Sequence, residues 1–151
     1  MKEKPSNTIK LITTNRKAHY RFTIVESFEA GLILMGHEVK SLRNGQGNIQ
    51  EAIVRIQNNE IFLFNAHISP YKFLTHIDVD PARTRKLLMH KKEIEKIGNN
   101  VQVQGLSLVP LELYFKEGVV KLTFGLGKGK NTRDRREEIK ERDDQRSIRS
   151  V

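Results

Sequence analysis

Five histidines are the first candidates for chemistry: His19, His37, His67, His76 and His90. None falls in a His-Glu-x-x-His pattern or another tight ligand spacing. His76 and Asp78 stand close enough in sequence to share a metal, a pairing that arises often by chance, and no metal site is expected. The chain has no cysteine, which excludes a thiolate nucleophile, Cys-ligated zinc and a disulfide scaffold. There is no Gly-x-Ser-x-Gly elbow to present a serine nucleophile. The run Gly125-Leu126-Gly127-Lys128-Gly129-Lys130 resembles a phosphate loop only superficially. The first glycine of such a loop would have to be residue 124, which is Phe124, and Asn131 stands where Ser or Thr is needed to hold magnesium. The run reads better as a flexible hinge. Glu29 and Glu38 sit in apolar surroundings and could form a paired acid and base, but nothing fixes their separation, and surface positions on strands and helices account for them better. No catalytic constellation emerges, so the expectation is a protein that is not an enzyme and needs no cofactor.

Charge is more informative. The 151 residues carry 27 Lys and Arg against 18 Asp and Glu, a net charge of +9. Residues 1–21 contribute +5, residues 128–151 contribute +3, and the stretch between contributes only +1. A near-neutral body with basic ends points to a polyanion partner, most often nucleic acid. The longest uncharged stretch, Ile97 to Leu111, has 15 residues and is interrupted by Asn, Gln, Gly and Pro. That is short of the roughly 20 apolar residues a spanning helix needs, and no membrane segment is expected. The first twenty residues lack the apolar core of a secretory signal, so a cytoplasmic location is expected.

Local patterning supplies the elements that must position any binding groups. Tyr20, Phe22 and Ile24 alternate with Arg21, Thr23 and Val25 as in a strand with one buried face. Gly31, later in the same run, suggests a bulge or sharp bend. Glu38 to Arg43, stopped by Asn44-Gly45, reads as a brief helix. Ile49 to Ile56 and Ile61 to Ile68 flank Asn58-Asn59 as a hairpin, and Leu106 to Phe115 and Val119 to Leu126 flank Glu117-Gly118 as another. Asp80-Pro81 predicts a helix start, with Leu87, Leu88, Ile94 and Ile97 on its apolar face and Gly98-Asn99 as its stop. The loop from Ser69 to Val79 is long for a compact domain. It carries Tyr71 and Phe73 as exposed stacking candidates, whereas Tyr20 and Phe22 belong more naturally to the core. Residues 128–151 have only Ile139, Ile148 and Val151 as apolar groups. They pair charges at helical spacing but have no stripe to bury, as expected of a segment disordered alone and helical on a partner. The predicted fold is mostly β: a closed antiparallel β-barrel of the oligonucleotide-binding type with about three short helices and a basic C-terminal tail. Its expected divisions are a flexible basic N-terminus at residues 1–12, the barrel at 13–127 and the tail at 128–151.

Three separated motifs then stand in order. The first is Asn15-Arg16-Lys17-Ala18, Phe28-Glu29-Ala30-Gly31 and Gly36-His37-Glu38-Val39-Lys40-Ser41-Leu42-Arg43. The second is Asp80-Pro81-Ala82-Arg83-Thr84-Arg85-Lys86-Leu87-Leu88, and the third is Gly129-Lys130 followed by Asp134-Arg135-Arg136. Together they resemble the bacterial SsrA-binding proteins, the SmpB family, from about Ile9 to Arg146. The resemblance implies an oligonucleotide-binding barrel that binds the tRNA-like domain of transfer-messenger RNA and carries it to stalled ribosomes for trans-translation. It implies RNA contacts at Asn15, Arg16, Lys17, Glu29, Leu88 and Lys121. It also implies a tail in the small-subunit decoding centre and empty mRNA channel, with Gly129, Lys130, Arg133, Asp134, Arg135 and Arg136 facing the ribosome. The implied partners are transfer-messenger RNA and the ribosome, bound by a monomer. The sequence departs from the family at Arg133, where His or Tyr is common, at Arg135-Arg136, where Lys-Arg is usual, and at Asp144. A general single-strand RNA-binding or ribosomal barrel protein is the alternative that composition alone allows.

Overall fold

The computed structural model describes residues 9–70 and 80–130. Tyr71, Phe73, His76, Asp78, Arg133, Asp134, Arg135 and Arg136 lie outside the described residues, as do the expectations for 1–8 and for the tail beyond Lys130.

Nine strands and three helices are described. They are β1 (Ile9–Thr14), α1 (Ala18–Arg21), β2 (Phe22–Leu32), α2 (Gly36–Arg43), β3 (Gly47–Asn48), β4 (Ile53–Gln57), β5 (Glu60–Phe64), β6 (His67–Ile68), β7 (Arg85–Leu88), α3 (Lys91–Gln104), β8 (Ser107–Lys116) and β9 (Val119–Gly129). Seven strands form one sheet in the order β1-β8-β9-β2-β7-β5-β4, and β3 pairs with β6 apart from it. Every pairing is antiparallel. The mostly β expectation is therefore met. Closure is not, because no ladder among the described residues joins β4 back to the far side of the sheet.

The period-two alternation of β8, β9 and β2 divides the sheet into two faces. Leu113 stands opposite Leu122, which stands opposite Ala30, and all three are buried. With Phe124, Leu126, Ile61, Leu63 and Leu87 they form the main core, which Ile94 and Ile97 of α3 and Leu42 of α2 cover. A smaller cluster of Ala18, Val109 and Leu111, with Phe22 and Ile24 against it, seats α1 on the sheet.

The two predicted hairpins are present, and their turns explain themselves. Asn58 and Asn59 both have positive φ, at 52° and 62°, the geometry of a two-residue turn whose twist matches its strands. Glu117 and Gly118 repeat it at 53° and 80°. The first hairpin is shorter than predicted. Its strands start at Ile53 and end at Phe64, while Ile68 belongs to β6.

Four expectations about local elements are corrected. The helix predicted from Asp80-Pro81 is two elements. Asp80 Oδ1 accepts from the Ala82 N–H at 2.9 Å, a side-chain turn rather than a helix cap. Arg85–Leu88 is then a strand, so Leu87 and Leu88 point to opposite faces. Gly98-Asn99 does not stop α3, which runs on until Gly105 caps it at φ 63° in the left-handed region. Tyr20 is in α1 rather than in the strand. The irregularity of β2 lies between Ile24 and Glu26, not at Gly31, which is in regular register with Lys121 and Leu88.

The glycine run after Phe124 is not a hinge. Its residues Gly125 to Gly129 are the last five of the eleven in β9, paired with Phe22 to Ser27. A Cβ on Gly125 would meet Ile24 Cγ2 at 2.7 Å, and one on Gly127 would meet Phe22 Cβ and Val109 Cγ2 at 3.0 Å. Glycine is there to let β2 and β8 side chains close over β9. β1 begins at Ile9 and β9 ends at Gly129.

Candidate nucleic-acid interface

The outer face of the sheet brings together residues far apart in sequence. Across four strands, Tyr114 of β8 is opposite Lys121 of β9, Lys121 is opposite Gly31 of β2, and Gly31 is opposite Leu88 of β7. One pleat along, Glu112 is opposite Thr123, which is opposite Glu29. Glu29, Gly31, Leu88 and Lys121 therefore line one open concavity, closed at its side by Met89, His90 and Glu93 from the start of α3. Leu88 is 53% exposed, so it is not a core leucine. A lone apolar side chain beside a lysine and a carboxylate is suited to packing on a base or ribose. A Cβ on Gly31 would make only ordinary contacts, 3.5 Å from Leu88 Cβ and 3.7 Å from Lys121 Nζ, so crowding does not demand glycine there.

Glu29 is held in a small network. Tyr114 Oη donates to Glu29 Oε2 and lies 2.8 Å from Thr123 Oγ1. Lys116 Nζ stands 3.3 Å from Glu29 Oε1. The Tyr114 hydroxyl, with help from Lys116 and Lys121 and against the cost of burial, holds the Glu29 carboxyl below its usual value. Burial, and then the neighbouring Glu29, pushes the Tyr114 phenol up to about 12. Glu29 is thus an anionic acceptor flanked by two lysines.

The other predicted contacts are arranged differently. Arg16 and Lys17 are exposed on the turn between β1 and α1. That turn follows Thr14, which is opposite Glu112, so three strand spacings of about 4.8 Å separate it from Glu29, on the order of 14 Å. Asn15 is buried, and its Nδ2 donates to Pro110 O at 2.9 Å. Its main job is to fasten the end of β1 to β8. Gly129 ends β9, and the Lys130 N–H donates to Arg21 O at 3.0 Å.

Glu38 does not pair with Glu29. Its side chain is 1% exposed and bonds to Arg83 and Arg85. Arg85 Nε and Nη2 reach Glu38 Oε2 at 2.8 and 2.6 Å, and its remaining donors go to the carbonyls of Ala66, Arg83 and Pro81. Glu38 Oε1 also takes the Met35 N–H at 2.9 Å at the start of α2. The group is a clamp between α2, the 80–85 segment and residue 66, with no free donor left on Arg85. No group of three metal-ligating side chains exists among the described residues.

Sequence reasoning missed Tyr114, Lys116 and Thr123. Their signal was the polar half of the alternation in Glu112-Leu113-Tyr114-Phe115-Lys116 and Lys121-Leu122-Thr123. Nothing local announced the Glu38 clamp.

An antiparallel sheet whose outer face offers a lysine, an anionic acceptor and an exposed leucine side by side is suited to a nucleic acid. The family model described as SmpB protein matches residues 12–151, and the chain belongs to the SmpB family. It is 52% identical over 139 residues to the SsrA-binding protein of Geobacter sulfurreducens, covering 92% of this chain and 91% of that relative. It is 51% identical to that of Microcystis aeruginosa, covering 93% and 92%, and 46% identical to that of Enterococcus faecalis, covering 95% and 94%. A solved structure described as "tmRNA-SmpB: a journey to the center of the bacterial ribosome" matches with a TM-score of 0.68 and 40% identity, over 84% of this chain and 93% of that one. The family is one of RNA-binding proteins rather than enzymes. No helix among the described residues is long and apolar enough to cross a membrane.

Proposed function

We propose that the protein binds the tRNA-like domain of transfer-messenger RNA through the outer sheet face and delivers it to stalled ribosomes for trans-translation, as a cytoplasmic monomer. The observation that carries this is the convergence of Glu29, Leu88 and Lys121 on one concavity, in a chain about half identical to proteins named for SsrA binding. Lys121 neutralises phosphate, Leu88 packs on an unstacked base or ribose, and Glu29 accepts from a ribose hydroxyl or base amino group. Arg16 and Lys17 extend the contact along the backbone, and Asn15 supports their turn. The curled sheet acts as a barrel of the oligonucleotide-binding type, a fold that tolerates a partly open seam. Gly129 and Lys130 lead into a tail whose Arg133, Asp134, Arg135 and Arg136 occupy the decoding centre, with the remainder in the empty mRNA channel. Sequencing RNA that copurifies with the protein from its host tests the reading, and transfer-messenger RNA is expected to dominate. Equal competition by unstructured single strands in a binding assay would instead favour a general RNA-binding protein.

A further inference from the structure

We propose that Tyr114 is a positioning residue of the RNA-binding face: its phenol, steadied by Thr123, aims the Glu29 carboxylate as a ready-made acceptor for a hydrogen-bond donor of the RNA. The inference rests on Glu29 being an RNA contact, as proposed above. Tyr114 is 5% exposed, so its ring cannot itself reach a ligand lying across the sheet. Its hydroxyl nevertheless donates to Glu29 Oε2 and meets Thr123 Oγ1 at 2.8 Å. Glu29 and Thr123 are opposite one another on β2 and β9, and Tyr114 enters from β8. Three strands therefore fix one carboxylate.

The benefit is entropic and electrostatic. A free glutamate on a strand surveys several rotamers, and each must be given up on binding. A tyrosine has only two side-chain torsions, and here its ring is already packed. An acceptor held before the ligand arrives costs less to engage. A carboxylate has about four lone-pair sites, and the bonds from Tyr114 and Lys116 leave others for the ligand. The roles are fixed in one direction. The raised Tyr114 phenol stays a donor and the lowered Glu29 carboxylate stays an acceptor throughout the neutral range. Lys116 adds charge to Glu29 at 3.3 Å, but on a 40% exposed side chain, which fixes geometry far less well.

The test measures dissociation constants for a transcript of the transfer-messenger RNA tRNA-like domain with wild type, Tyr114→Phe, Glu29→Gln and the double variant. Tyr114→Phe is expected to weaken binding three- to tenfold while leaving the salt slope unchanged, since no phosphate contact is lost. In the Glu29→Gln background it is expected to add less than a factor of two. Carbon-detected titration of Glu29 should show its pKa rising in Tyr114→Phe, and Thr123→Val should weaken binding in the same direction by less. RNA with single 2′-deoxy substitutions, or inosine for guanosine, identifies whether the donor is a hydroxyl or an amino group. Wild-type affinity in Tyr114→Phe, or a loss that persists in full without the Glu29 carboxylate, would overturn the proposal. Failure of the wild-type protein to prefer the tRNA-like RNA would instead defeat the functional reading beneath it, before any variant is compared.

Discussion

Two carboxylates of similar sequence context have opposite uses. Glu38 is spent on structure. Burial alone would raise its pKa, but bonds from Arg83, the Met35 N–H and Arg85 more than offset that and hold it below the usual carboxylate range. A folded-state pKa below the unfolded value gives stabilisation that is complete above the unfolded pKa. It is lost as pH falls through the folded one. Thermal unfolding should therefore show an acid-side decline that shrinks in Glu38→Gln. The substitution itself should cost about 3–5 kcal/mol, because it leaves the buried Arg85 guanidinium without its counter-charge. A Glu38→Gln protein with wild-type melting temperature at pH 7 would refute the clamp. Lys121, on the outer face, should behave the other way, with little effect on stability and a clear effect on binding. Lys121→Ala should lower RNA affinity and reduce the slope of log affinity against log salt by about 0.7–0.9, the contribution of one phosphate contact. An unchanged slope would remove Lys121 from the phosphate-contacting set.

At the level of elements, glycines with the same apparent meaning in sequence differ in the fold. Gly98 looks like a helix stop and is a helix interior residue. A Cβ there would find only Ile56 Cδ1, at an ordinary 3.7 Å. Gly98→Ala should therefore stabilise the protein by roughly 0.5–1 kcal/mol, the helical penalty of glycine, seen as a rise in melting temperature. Gly125→Ala should destabilise by about 1–3 kcal/mol, since the new methyl would press on Ile24 and on the Glu26 carbonyl. Equal melting temperatures for the two variants would contradict this assignment. What was legible in the sequence follows the same division. Hairpins announced themselves, because Asn58-Asn59 and Glu117-Gly118 fix turn and register within a few residues. The 80–97 segment did not, because Leu87, Leu88, Ile94 and Ile97 fit a helical period by coincidence. Pairing of Gly31 and Leu32 with Leu88 and Leu87 made Arg85–Leu88 a strand. Leu88 was proposed as a contact only through resemblance. Its exposure depends on strand pleat, which local spacing misjudged. Glu29 and Lys121 met on one face because of a β2–β9 ladder that joins residues some ninety positions apart. No local pattern encodes that.

At the scale of the whole molecule, residues 131–151 add little to the net charge. Residues 131–151 hold seven Lys and Arg against six Asp and Glu, only +1 of the net +9. Residues 1–130 therefore carry +8 of it, the charge available to attract a polyanion. They also carry every described ladder, provided the chain continues far enough. Ending at Lys128 would remove Gly129, which pairs with Phe22, and the Lys130 N–H that bonds to Arg21 O. Both contacts seat the start of β2 beside α1, so such a truncation confounds tail loss with damage to the fold. A stop after Lys130 avoids that. The shortened protein should unfold at the same temperature and bind the tRNA-like RNA with the same affinity, within a factor of about two for a change of one net charge. It should nevertheless fail to support tagging on stalled ribosomes, because the residues proposed to enter the decoding centre are gone. Calorimetry, RNA binding and a stalled-ribosome tagging assay on that one variant separate the roles. A drop in melting temperature would make 131–151 part of the fold, a large loss of RNA affinity would make it part of the RNA site, and retained tagging would remove it from the ribosomal role altogether.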